Sequence, residues 1–260
     1  MASGPHHSCS LGEPYDYLKI IDPTGLAWEW LRRDTDYRQQ PPSARQQTNL
    51  GNHIAMAPSA CIARWGCLCV ENADLRATDA SILWRSPLDP AILRVAAAPC
   101  SSHDSMTFDL RHWANRAVIV NDAAGREHIL LRGRSGIRLD VIAGTLRDGP
   151  VSLRFDMTGS NDIESSLRTL RRFLHVCKTG DASPLSMTNG VPSCRTINAL
   201  RVHDALHQGA SIRDIGIMLF GQARIGSEWR SPGESLKSHC RRLIAYSRHM
   251  ASGGWQMLLR

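Results

Sequence analysis

The sequence contains no run of about 18 to 20 consecutive apolar residues, which a membrane-crossing helix requires, and its first residues show no cationic stretch leading into an apolar one. No membrane association and a cytoplasmic location are therefore expected. Neither a P-loop nor a G-x-G-x-x-G fingerprint occurs, so the chain offers no glycine-rich cradle for nucleotide phosphates. Cysteine is present but has no pattern: Cys9, Cys61, Cys67, Cys69, Cys100, Cys177, Cys194 and Cys240 are scattered, without paired C-x-x-C elements or a dense disulfide framework. Reduced thiols are expected, and a zinc site built from Cys61, Cys67, Cys69 and His53 lacks the usual spacing. No serine, histidine and aspartate are placed so as to single out a nucleophile with its base. The fragment His239-Cys240-Arg241-Arg242 reads as H-x-x-R, with Tyr246 as the nearby nucleophile a tyrosine recombinase would need. Both lie on one local surface, without the separate elements of a full active site. The expectation is a non-enzyme with no cofactor, no metal and no catalytic residue.

Positive charge, by contrast, is in excess. Lys plus Arg number 31 against 24 Asp plus Glu, a formal +7, and the pI is near 9.2, so a polyanionic partner is plausible. At 260 residues the chain is long enough to bury a sizeable core in one or two domains.

The charge is most sharply patterned in the last third. A helix is expected from Thr196 to about His207, with Ala199, Val202 and Leu206 on one face, ending at Gln208-Gly209. A second opens at Ser211, whose hydroxyl and the Asp214 carboxylate form an S-x-x-D capping box, with Ile212, Ile215, Gly216 and Leu219 inward. Glycine at 216 costs a free helix about 1 kcal/mol against alanine, so its presence implies close approach of another helix. The chain then loops through Gly226, Trp229, Ser231-Pro232 and Gly233 into a third helix from about Glu234 to Met250. At ~100° per residue, Leu236, Cys240, Leu243, Ile244 and Ser247 fall on one side, and Lys237, Arg241 and Arg248 stack on another, with Arg242 and His249 beyond. Three cations along roughly 17 Å of helix can reach successive phosphates, and an arginine can fork onto the O6 and N7 of guanine in a major groove. Arg213, polar between Ile212 and Ile215, is the exposed member of the second helix's first turn. The candidate contacts to double-stranded DNA are thus Arg213, Lys237, Arg241, Arg242 and Arg248. The alternative for the third helix is an ordinary solvated amphipathic face, and its connection to the second is longer than a simple helix-turn-helix allows.

Upstream, residues 1 to about 14 read as a leader. Tyr15, Tyr17, Trp28, Trp30 and Tyr37 surround a helix capped by Asp22 or Thr24. Trp28, Trp30 and Leu31 are too close together to share one face, so an aromatic meeting a neighbouring domain or a second copy of the chain is expected. Gln39 to Gly51 reads as a linker. The runs AVIV, HILLR, IRLDVI and VSLRF from Ala117 onward, separated by turn residues, read as a small half-buried antiparallel sheet. A helix capped by Asn161 or Asp162 carries Ile163, Leu167, Leu170 and Leu174 at helical spacing. The fold class is α+β: an N-terminal helical segment (1–50), a central region with the antiparallel sheet (51–158) and a helical, helix-turn-helix-like DNA-binding region (159–260).

The stretch LRVHDALHQGASIRDIGIMLFG, the isolated Trp229 and SLKSHCRRLIAYSRHMASGGWQMLLR together resemble the DNA-binding domain of RovC-type regulators, a group that includes FseA-like activators of integrative and conjugative elements. YDYLKIIDPTGLAWEWLRRDTDYRQ resembles the short N-terminal region often joined to that domain in proteobacterial regulators. The resemblance implies a transcriptional regulator acting on a promoter or operator, with mobile-element or secretion genes as targets and no catalytic residues. RNA polymerase, a protein antiactivator and self-association into a homo-oligomer are the further partners it leaves open. Two classes remain: a DNA-binding activator, or a protein-binding antiactivator that sequesters a related activator. Retention of Lys237, Arg241 and Arg248 and the long N-terminal region favour the first.

Overall fold

The computed structural model describes residues 13–58, 62–86, 88–101, 107–133, 136–157, 163–180, 192–229 and 236–260. The expected caps Asn161 and Asp162 and the turn residues Ser231 to Gly233 lie outside these. The chain divides into two compact units: one holds residues 21–190 with 256–260, the other 1–20 with 191–255. Strands and helices occur together, as an α+β class requires.

The first unit is built on a seven-stranded sheet in the order β1-β2-β4-β5-β6-β3-β7. The strands are β1 (Arg45–Thr48), β2 (Gly51–Ile54), β3 (Leu93–Pro99), β4 (Ala117–Asn121), β5 (Glu127–Leu131), β6 (Ile137–Ala143) and β7 (Val151–Asp156). The four runs expected as strands are β4 to β7, and β4-β5-β6 is an antiparallel meander. The sheet is otherwise larger and more mixed than expected. β3 inserts between β6 and β7, parallel to the first and antiparallel to the second. β2 runs parallel to β4. The expected linker contains the β1 strand and leads straight into β2, because Gly51, at φ +140°, turns the chain where a Cβ would come within 2.6 Å of the Ala117 carbonyl.

Burial explains why AVIV is a continuous apolar run. Val118 and Val120 pack on one sheet face with Ile54, Leu68, Leu83 and Leu130, whereas Ala117 and Ile119 join Leu93, Val95, Ile129 and Leu139 on the other. A central strand covered on both faces carries apolar residues without alternation. β6 alternates buried Ile137, Leu139 and Val141 with the largely covered Arg138 and Asp140, which pair with Asp89 and His128.

Helix α1 (Pro23–Leu31) begins at Asp22, whose carboxylate accepts from the Gly25 amide at 2.7 Å, with Pro23 in the first turn where a missing N–H costs nothing. Trp28, Trp30 and Leu31 are all buried, so α1 is covered on every side by its own chain. Of the two expected neighbours, another part of the chain or a second copy, it is the chain itself that covers these three residues. Tyr37, on α2 (Thr35–Arg38), stacks edge-on against both Trp28 and Trp65, with ring centroids 5.6 and 5.2 Å away. Beneath them the wholly buried Glu29 carboxylate takes both Arg32 and Arg33 at 2.7 Å and the Ala77 amide at 2.8 Å. Burial raises its pKa, but the two guanidinium groups outweigh that and hold it below the ordinary glutamate value.

The long helix α3 (Ile163–Thr179) also packs on this sheet, with Leu170 and Leu174 against the same core but at the margin of the buried face rather than at its centre. Ser166, Thr169, Phe173 and Val176 are buried, while Ile163 is 56% exposed. Phe173 decides the orientation: it meets Phe108 and Phe155 at 5.5 and 5.7 Å, which turns the helix roughly a quarter turn from the Leu167-Leu170-Leu174 axis. Ser166 is accommodated by donating its hydroxyl to the Pro90 carbonyl at 2.8 Å.

The second unit is helical: α4 (Cys194–His207), α5 (Ile212–Phe220), α6 (Gln222–Glu228) and α7 (Leu236–Ala251), with a short 3-10 turn over Glu13–Lys19. That turn packs on α4, where the Tyr15 hydroxyl donates to Asp204 at 2.8 Å. Among the described residues no helix is long and apolar enough to cross a membrane.

Candidate nucleic-acid interface

The helices of the second unit start and stop where side chains satisfy their free backbone groups. Ser193 caps α4 by accepting from the Thr196 amide. Gly209, at φ +84°, takes the left-handed conformation after α4 that a Cβ would resist. The capping box of α5 is formed in both directions: the Ser211 hydroxyl accepts from the Asp214 amide at 3.3 Å, and Asp214 accepts from the Ser211 amide at 2.9 Å. The Ser211 bonds hold the Asp214 carboxyl below its ordinary pKa. Arg213 is exposed on this first turn, as expected.

Gly216 is where another helix approaches. An added Cβ would stand 2.8 Å from the Trp229 ring and 2.9 Å from Ile225. The approaching element is α6, a helix in a stretch expected to be a loop. Its glycines, Gly221 and Gly226, read as breakers, but Gly221 makes the sharp α5-to-α6 turn at φ +86° and Gly226 lies inside the helix. Arg224 of α6 is paired with Glu228 at 3.1 Å.

Helix α7 completes the packing. Leu236, Cys240, Leu243, Ser247 and Met250 are buried along one side, the face anticipated from periodicity with Met250 added and Ile244 half-buried at its margin. Arg241, Arg242 and Arg248 are exposed and Lys237 is half-exposed. By helical geometry Lys237, Arg241 and Arg248 share one stripe, and Arg242 with His249 occupies a second one about 100° further round. The helix contains no acidic residue, and among the described residues Lys237, Arg241 and Arg248 form no ion pair. Its charge is thus uncompensated within the helix. Arg213 is on a different helix, α5, rather than on either stripe.

Two packing contacts escaped the sequence reading. Arg195, exposed on the first turn of α4, lays its guanidinium 4.4 Å over the Tyr246 ring, and His239 meets Phe220 edge-on at 5.4 Å. These contacts tie α7 to α4 and to α5, and they give Tyr246 and His239 packing partners. No local signal marks them, since each pair is separated by at least 19 positions.

Cys67 and Cys69 are buried, and burial pushes both thiols up to about 12, which keeps them protonated and poor metal ligands. Cys61 lies outside the described residues. Among the described residues, no group of three or more His, Cys, Asp or Glu is arranged to hold a metal ion.

Comparison with known families gives two matches. Residues 157–260 match the RovC DNA-binding domain, described as "T6SS, Transcription factor, DNA binding domain". Residues 11–68 match the proteobacterial transcriptional regulator-like domain. No curated protein matches the chain. The second match covers the 3-10 turn, α1, α2, β1 and β2, and the first covers α3 through α7. The chain thus carries a RovC-type DNA-binding domain over residues 157–260, preceded by a proteobacterial regulator-like domain, and the two together indicate a DNA-binding transcriptional regulator.

Proposed function

We propose that the protein binds a double-stranded operator through α7 and activates transcription, with mobile-element transfer and excision genes or secretion genes as its targets. In this reading α4, α5 and α7 act as a helix-turn-helix-like unit. Arg213, Lys237, Arg241, Arg242 and Arg248 meet the DNA, RNA polymerase is the downstream partner, and the active form is a homo-oligomer. The observation that carries it is the acid-free α7, whose buried side is fixed against the fold while Lys237, Arg241 and Arg248 stand on a stripe with no carboxylate partner among the described residues. A stripe of this kind lowers its own repulsion by exchanging counterions for phosphates.

A mobility-shift series with duplex DNA from upstream of neighbouring genes, repeated over a range of salt, tests it. The double variant Lys237→Ala, Arg241→Ala should bind more weakly. Loss of two phosphate contacts should make the slope of log affinity against log salt shallower by about 1.8. Circular dichroism and melting should be unchanged, because neither side chain is buried. Unaltered affinity and slope would place the DNA surface elsewhere and favour the second reading, a protein-binding antiactivator.

A further inference from the structure

An open cleft of about 540 Å³ lies between α4 and α7, lined by His203, Leu206, His207, Ser247, Arg248, Ala251 and Ser252. His203 and His207 are four residues apart on α4, so both imidazoles project over the same turn, with ring centroids 4.4 Å apart. Arg248 faces them from α7. Neutral or protonated, each imidazole presents at least one N–H, and the guanidinium presents several; none of the seven lining residues is acidic. Asp204, the residue after His203 on α4, accepts from the Tyr15 hydroxyl.

The floor of the cleft carries a second signal. Ser247 is fully buried, and its Oγ has no hydrogen-bond partner. A serine inside a helix ordinarily satisfies its hydroxyl on a carbonyl one turn back, as Ser227 of α6 does by donating to the Ala223 carbonyl at 3.3 Å. A buried hydroxyl left unpaired is destabilising unless a ligand completes it. A helix face that contributes an unused donor, next to an arginine and across from two imidazoles, matches the demands of a tetrahedral oxyanion.

We infer that this cleft is a phosphate-binding site, formed by His203, His207, Ser247 and Arg248. The phosphate is either one on the backbone of DNA bound along α7, which rests on the function proposed above, or one carried by a free small molecule. In the second case the site is an effector pocket that draws Arg248 away from DNA. A divalent cation, which an i, i+4 histidine pair can also chelate, is disfavoured by Arg248 beside it.

The test is titration of the full-length protein, without DNA, by inorganic phosphate against sodium chloride at matched ionic strength, read from the backbone amide resonances of α4 and α7. A saturable response to phosphate alone is expected. It should be lost in His203→Gln, His207→Gln and weakened several-fold in Ser247→Ala, which removes only the unpaired hydroxyl. Adding operator duplex distinguishes the sources: a backbone site gives competition between duplex and phosphate, and a free-ligand site still takes phosphate on the DNA-bound protein. A response equal to that of chloride, one that survives the double histidine variant, or one seen with zinc but not with phosphate overturns the inference. Because the first titration contains no DNA, its failure leaves the operator reading of Lys237 and Arg241 standing.

Discussion

Gly216 and Gly226 are both glycines inside helices, and alanine would relieve each of the same backbone entropy, yet the two substitutions should have opposite effects. Gly→Ala in a helix interior is favourable by about 0.5 to 1 kcal/mol where the site has room. At Gly226 an added Cβ meets nothing within 4 Å, so Gly226→Ala should stabilise the unit by about that amount. At Gly216 the new methyl would stand 2.8 Å from one Trp229 ring atom, 3.4 Å from another, and 2.9 Å from Ile225 Cδ1. The Ile225 methyl is the end of a flexible chain and can rotate away. The indole is rigid and must move as a body, taking the end of α6 with it. Forcing a methyl into a packed contact of this kind costs about 1 to 3 kcal/mol, which exceeds the helix-propensity gain and leaves Gly216→Ala destabilised by about 1 kcal/mol. The two variants should therefore differ by about 2 kcal/mol, more than a tenfold difference in the opening equilibrium. Urea denaturation followed by tryptophan fluorescence, with hydrogen exchange of the α5 and α6 amides to localise the effect, reads this directly. Equal stabilisation by both would show that α5 and α6 do not approach as closely as the geometry has them, and the account of why residue 216 is glycine would fail.

Other outcomes follow from the same kind of argument. Ser211→Ala should cost about 1 kcal/mol by removing the α5 cap without altering DNA affinity, whereas Arg213→Ala should weaken DNA binding and leave melting unchanged; a reversed pattern would exchange the two roles. The Glu29 pKa is lowered by Arg32 and Arg33, so its contribution to stability is complete above the unfolded glutamate value near 4.5 and is lost as pH falls through the lower folded value. Glu29→Gln should flatten that acid limb of a stability-pH profile and, by leaving two guanidinium groups short of their counter-charge, destabilise by about 3 to 5 kcal/mol at neutral pH. Trp28→Ala, which empties a fully buried site between Tyr37 and the rest of the first unit, should cost about 3 to 5 kcal/mol, whether or not the protein self-associates; a small effect would mean that Trp28 is not core.

Read along the chain, neighbouring residues settle much of the secondary structure. Helices α4, α5 and α7 were legible because their signals are local: a hydroxyl and a carboxylate three residues apart, a glycine where the backbone turns left-handed, and a repeat of 3.6 that separates Leu236, Cys240 and Leu243 from Lys237, Arg241 and Arg248. The four strands β4 to β7 were legible from apolar runs bounded by turn residues. Which strands are partners depends on contacts between distant segments. β3 enters the sheet between β6 and β7 from more than fifty positions upstream of β7, and nothing in the run Leu93–Pro99 names those neighbours. β1 sits in a polar stretch that resembles a linker because an edge strand exposed to solvent needs no apolar side chains. Helix α6 was hidden by glycines whose purpose depends on what lies opposite them, and α3 centres its buried face on Phe173, set against two other phenylalanines, with Leu170 and Leu174 at the margin. Periodicity shows that a helix is amphipathic, but the shape of the surface it meets fixes which residues it buries. The same holds for the cleft: His203, His207 and Arg248 were visible as letters, and only the packing of α4 on α7 brought them to one opening with an unpaired serine beneath.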